Sequence, residues 1–163
     1  MKQLFAPCMM LICTMLASSC EWASSSQETL LYTFHSVEAQ GWDSRDTVTF
    51  ELPIVEETKE GVVCHVHLRT TADYPYELLH LTALLDTLPA QARPVILHTY
   101  AISDTIYNQE GRLSGSGIIY REKAFQLPPF RLEPHRQYRF RFTHKTRRNP
   151  IPGIADIGIK LTQ

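Results

Sequence analysis

Apolar and polar residues alternate along most of this chain. Residues 47–52 set Val48, Phe50 and Leu52 on one side and Thr47, Thr49 and Glu51 on the other. Residues 61–69 repeat the pattern with Val62, Cys64, Val66 and Leu68. Residues 137–143 place Tyr138, Phe140 and Phe142 inward and Arg139, Arg141 and Thr143 outward. A period of two is the mark of a half-buried strand, because successive side chains leave opposite faces. Further strand signals cover 31–37, 95–102, 113–120 and 124–127, and Ile157, Ile159 and Leu161 form a last apolar face. Pro53, Pro94 and Pro128-Pro129 punctuate these runs. Many short strands separated by turn residues predict an all-β fold, a single antiparallel β-sandwich.

One segment resists this reading. Residues 77–88 carry Leu78, Leu81, Leu85 and Leu88 at helical spacing, with Asp73 as a cap and Pro75 in a first turn. Pattern alone leans towards a helix here. Alternation of Leu79, Leu81, Ala83 and Leu85 fits a strand as well.

The first residues follow a different logic. Met1 and Lys2 supply positive charge, and the apolar stretch 5–17 is too short for the roughly 20 residues a membrane-spanning helix needs. Leu16-Ala17-Ser18-Ser19-Cys20 closes it in the manner of a bacterial lipobox. The expectation is a cleaved lipoprotein signal peptide over 1–19, acyl chains such as palmitate on Cys20, a polar tether over 20–29 and the domain over 30–163. Each buried CH₂ contributes about 0.8 kcal/mol, so two or three chains hold essentially for good. Cys8 and Cys13 leave with the leader. Cys64 is then without a partner and reads as a small buried thiol.

Charge divides the chain. Residues 20–91 carry twelve acidic and three basic side chains, whereas 92–163 carry five acidic and twelve basic. Pairing of strands between the halves neutralises both; a basic face docked on an acidic partner or on anionic head groups is the sharper reading. Arg139 and Arg141, outward on their strand, are its leading residues. An exported chain with this overall charge is not a nucleic-acid binder.

Chemical motifs are sparse. His65 and His67 share a strand face and can begin a zinc site, with His80 or His98 as a third ligand, but no carboxylate or histidine has diagnostic spacing. Ser114-Gly115-Ser116-Gly117 is neither a nucleophile elbow nor a phosphate loop; a bulge or close backbone approach fits it better. Asp73 and Glu77 fit a cap or a solvated edge better than a glycosidase pair. Trp42, Tyr74 and Tyr76 fall in loops, where exposed rings anchor protein contacts or stack on sugars and buried ones close a core. No cofactor and no catalysis are expected.

The order of several segments resembles the gliding-motility lipoprotein family GldH of the Bacteroidota. They are Gly41-Trp42, Asp46-Thr47-Val48-Thr49-Phe50, Leu68-Arg69 and Asp73-Tyr74-Pro75-Tyr76 with the leucine-rich stretch. Asp104-Thr105, the pair Gly115 and Gly117, and the closing Pro152-Gly153-Ile154-Ala155-Asp156-Ile157-Gly158-Ile159 complete the set. Leu78 stands where the family usually has Asn, and Leu113 where it tends to have Trp. The resemblance implies a β-rich fold, which tips 77–88 towards strand. It also implies an outer-membrane lipoprotein tied to gliding motility and type IX secretion, with protein partners in that complex. A glycan-binding lipoprotein of a polysaccharide-capture system is the alternative.

Overall fold

A computed structural model describes residues 27–37, 39–88 and 93–163. The expected signal peptide, its lipobox and the expected acylation site Cys20 lie outside the described residues. Nine strands form: β1 (Thr29–Ser36), β2 (Val48–Glu51), β3 (Lys59–Thr70), β4 (Leu78–Thr87), β5 (Ile96–Thr105), β6 (Arg121–Gln126), β7 (Phe130–Leu132), β8 (Tyr138–His144) and β9 (Ile154–Thr162). The described residues contain no helix. One sheet runs β1-β9-β3-β6, with the short β7 also on β3; the other runs β2-β8-β4-β5. All pairings are antiparallel. The two sheets stack as the sandwich that alternation predicts.

The core lies between the sheets. Val62, Cys64, Val66 and Leu68 of β3 and Ile157, Ile159 and Leu161 of β9 face Phe140 and Phe142 of β8 and Leu79, Leu81, Ala83 and Leu85 of β4. Aromatic pairs lock it: Phe50 meets Phe142 edge-on at 5.8 Å, and Phe130 meets Phe140 at 5.5 Å. Each fully buried ring or leucine adds about 1.5–3 kcal/mol. Burial alone pushes the Cys64 thiol up to about 12.

Residues 77–88 resolve as β4, not a helix. β4 is a central strand, laddered to β8 on one side and β5 on the other. Both ladders demand the period-two face of Leu79, Leu81, Ala83 and Leu85, and tertiary pairing overrides the helical spacing. The strand expected over 113–120 is corrected. Only isolated bridges form there, Tyr107 to Leu113 and Ser116 to Glu122. Gly115 turns with φ +100°, and a Cβ on it would meet the Glu122 carbonyl oxygen at 2.2 Å. That turn ends the run, and strand structure resumes only at Arg121. β7 follows Pro128-Pro129 and gave no alternation long enough to see.

Candidate functional site

Several loop residues converge on one corner of the sandwich. Trp42 and Ile151 exchange backbone hydrogen bonds of 2.9 and 2.8 Å. The Trp42 ring is buried and packs edge-on to His144 at 5.2 Å, and its Nε1–H donates to the Asp46 carbonyl at 2.9 Å. His144 in turn donates from Nε2 to the Trp42 carbonyl at 3.0 Å, which fixes the neutral tautomer. Burial lowers the pKa of His144, and its hydrogen bond to that carbonyl only partly offsets this. Gly153 sits at φ +78° against Tyr74, where a Cβ would lie 2.2 Å from the Tyr74 nitrogen. Tyr74 is fully buried, donates from its hydroxyl to Leu78 O and receives the Tyr107 hydroxyl on its own carbonyl. Burial raises its pKa. Trp42 and Tyr74 are therefore wedges of the core, and the expectation that they face a partner is corrected. Tyr76 is half-buried, edge-on to Tyr74, and accepts a long contact from Arg148.

The two arginines point outward as expected, but not into free solvent. Asp86 of β4 lies between them. Arg139 donates from Nε to Asp86 Oδ1 at 2.7 Å, and Arg141 from Nε to Oδ2 at 2.8 Å. The Asp86 side chain is 0% exposed, against 22% and 29% for the arginines. Acidic and basic halves of the chain thus meet on the β4–β8 ladder. Arg131 of the basic half with Glu60 of the acidic half repeats this pairing; Arg69 with Glu122, at 2.8 Å, pairs the halves with the signs reversed. A charged residue buried inside a leucine run signals a fixed partner. Asp86, the one acidic residue inside the leucine-rich stretch 78–88, is the sequence signal that marks this cluster.

His65 and His67 share the outer face of the β1-β9-β3-β6 sheet. His67 shares a 2.8 Å hydrogen bond between its Nδ1 and Glu122, and its ring meets Tyr32 and Phe34 edge-on. Arg69 stacks over Phe34 at 3.7 Å. Gly158 makes room for that ring, since a Cβ there would lie 2.5 Å from it. Burial pushes the Glu122 carboxyl up, but hydrogen bonds from Arg69 and His67 outweigh it and hold the group below the usual range. His80 and His98 belong to the other sheet, so neither joins this pair. Among the described residues no three side chains of metal-binding type converge.

Two surfaces had no clear sequence signal. The loop before β6 exposes Ile118 fully and Ile119 to 80%. The second is a cleft of about 550 Å³ between the free edges of β5 and β6, lined by Tyr100, Ile102, Phe125, Leu127 and Pro128. Lys123 bridges its end, 2.9 Å from Asp104 and 2.6 Å from the Thr105 carbonyl. Burial pushes Asp104 up, but the Lys123 hydrogen bond and the Thr105 N–H outweigh it, and its pKa is lowered.

A family model described as GldH lipoprotein matches residues 29–161. No curated protein matches the chain. Among solved structures, the Yersinia pseudotuberculosis-derived mitogen is similar at 8% identity and a TM-score of 0.41, over 81% of this chain and 85% of that one. That likeness is too slight to carry an argument.

Proposed function

This chain belongs to the GldH lipoprotein family, and from that premise we propose that it is a non-catalytic assembly component, held at the outer membrane by lipid on Cys20. It presents a protein-binding surface within a gliding-motility or type IX secretion complex. The family match over residues 29–161 carries the reading. The lipobox read from Leu16 to Cys20 supports it independently. The glycan-binding alternative leaned on Trp42 and the loop tyrosines, and the burial of Trp42 and Tyr74 removes its best stacking platforms.

Anchoring is tested by Cys20→Ala in the native host. The variant moves from the outer-membrane to the soluble fraction if acylation holds the protein there. A variant that stays in the membrane fraction, in cells whose lipoprotein processing is intact, contradicts the anchor.

A further inference from the structure

β5 is an edge strand whose outer hydrogen-bonding groups are open. In an antiparallel ladder, alternate residues turn both backbone groups to the same neighbour. Ile106 donates its N–H to the Glu77 carbonyl at 2.6 Å. Counting back by twos, Asp104, Ile102, Tyr100 and His98 bond to β4 and leave Thr105, Ser103, Ala101 and Thr99 facing outward. Thr105 is already satisfied, since its N–H donates to Asp104 Oδ1 at 2.6 Å and its carbonyl accepts from Lys123 at 2.6 Å. Among the described residues, no hydrogen bond beyond the sheet engages the backbones of Thr99, Ala101 or Ser103.

Edges of this kind are usually blunted by charge, proline or brevity. β5 runs ten residues and carries no charge or proline before Asp104. Val95 just before it and its first two residues, Ile96 and Leu97, are apolar and exposed. The facing edge, β6, is shorter and carries Arg121, Glu122 and Lys123. On the inner side of β5, Tyr100 and Ile102 are only half-buried, because the space between them and Phe125 is the open cleft.

We infer that β5 is a strand-addition site, filled by an extended segment of another protein that pairs with Thr99, Ala101 and Ser103 and sets alternate side chains into the cleft. This deepens the assembly reading and rests on it. Main-chain pairing supplies the attraction and the cleft supplies selectivity. Asp104 and Lys123 neutralise each other, so the side chains that enter are uncharged, with an aromatic or branched residue opposite Phe125. A second copy of this chain fits less well. Two-fold pairing of β5 draws the two β6 edges together, each bearing the exposed Arg121, and like charges oppose it.

The test uses the full lipoprotein in intact cells, with a photoreactive phenylalanine at position 99 or 103 in separate strains. A paired strand gives crosslinks on one partner segment whose sites lie four residues apart, matching the two probe positions. Ala101→Pro removes an edge N–H that the fold does not use, so thermal unfolding is retained while crosslink yield falls about tenfold. If that variant fails to fold, Thr99→Pro with the probe at 103 reads the same edge. Undiminished yield in the folded proline variant overturns the proposal. Crosslinks to a second copy, or to sites with no four-residue step, overturn it as well. Absence of crosslinks from β5 while whole-protein capture still recovers partners removes the edge site alone; loss of all partners removes the assembly reading with it.

Discussion

Asp86→Asn removes the charge on which two arginines converge and changes almost nothing else in shape. In the native fold Asp86 is fully buried and accepts from Arg139 at 2.7 Å and from Arg141 at 2.8 Å. Charge-assisted hydrogen bonds are worth about 1.5–3 kcal/mol each, and breaking a fully buried pair costs about 3–5 kcal/mol. The arginines keep 22% and 29% of their side-chain surface, so both can turn partly to water. That reduces the expected loss to about 2–3 kcal/mol. For a domain of this size each kcal/mol lowers Tm by roughly 3–5 °C, so the variant melts about 6–15 °C below the wild type. Thermal unfolding of the purified lipoprotein in detergent, followed by circular dichroism, reads this directly. In the Asp86→Asn background, Arg141→Gln then costs about 1–2 kcal/mol less than it does alone. Equal melting temperatures for Asp86→Asn and wild type refute the reasoning and return Arg139 and Arg141 to the surface as free docking residues. The consequence for function is practical. Reversing Arg139 or Arg141 places a carboxylate beside Asp86, so a lost interaction after such a reversal reports damaged folding before it reports a docking site.

Three further expectations follow from the core. Gly153→Ala forces a Cβ to within 2.2 Å of the Tyr74 nitrogen at φ +78°, and a loss of about 3 kcal/mol or more in urea unfolding is expected. His144 is held neutral by burial, with a pKa below its ordinary 6.5. The unfolded chain then binds more protons, so stability is full above pH 6.5 and falls as pH drops below it towards the folded value. In His144→Gln that part of the acid-side slope disappears. Cys64 is buried with its thiol pushed up to about 12, so a thiol reagent at pH 8 leaves the native lipoprotein unlabelled and labels it only on unfolding.

Strand content was legible wherever one face is buried and the other wet. The run Val62, Cys64, Val66 and Leu68 lands in the core, and so does Tyr138, Phe140 and Phe142. Legibility failed where neighbours decide. Glu77 to Leu88 fits helical spacing and strand alternation alike, and the choice falls only when β8 and β5 claim its two edges. Residues 113–120 read as a strand until Gly115 is seen to need a positive φ. The site was harder still. A tryptophan or tyrosine in a loop looks the same whether it faces a partner or closes a sandwich, and only the mutual bridge between Trp42 and Ile151 tells which. The family segments Gly41-Trp42, Asp73-Tyr74 and Pro152-Gly153 stand far apart in sequence and meet at one corner, so their order carried the family while hiding their structural purpose. The β5 edge was invisible because an edge strand and a central strand share the same alternation.

The central claim is that this lipoprotein works by holding other proteins at the outer membrane. Crosslinking in intact cells, then affinity capture of the tagged full-length protein and mass spectrometry, tests it most directly. Recovery of gliding or type IX secretion components, reduced when Cys20→Ala releases the protein from the membrane, is the predicted result. Recovery of polysaccharide-uptake proteins in their place, or of no protein partner at all, contradicts it.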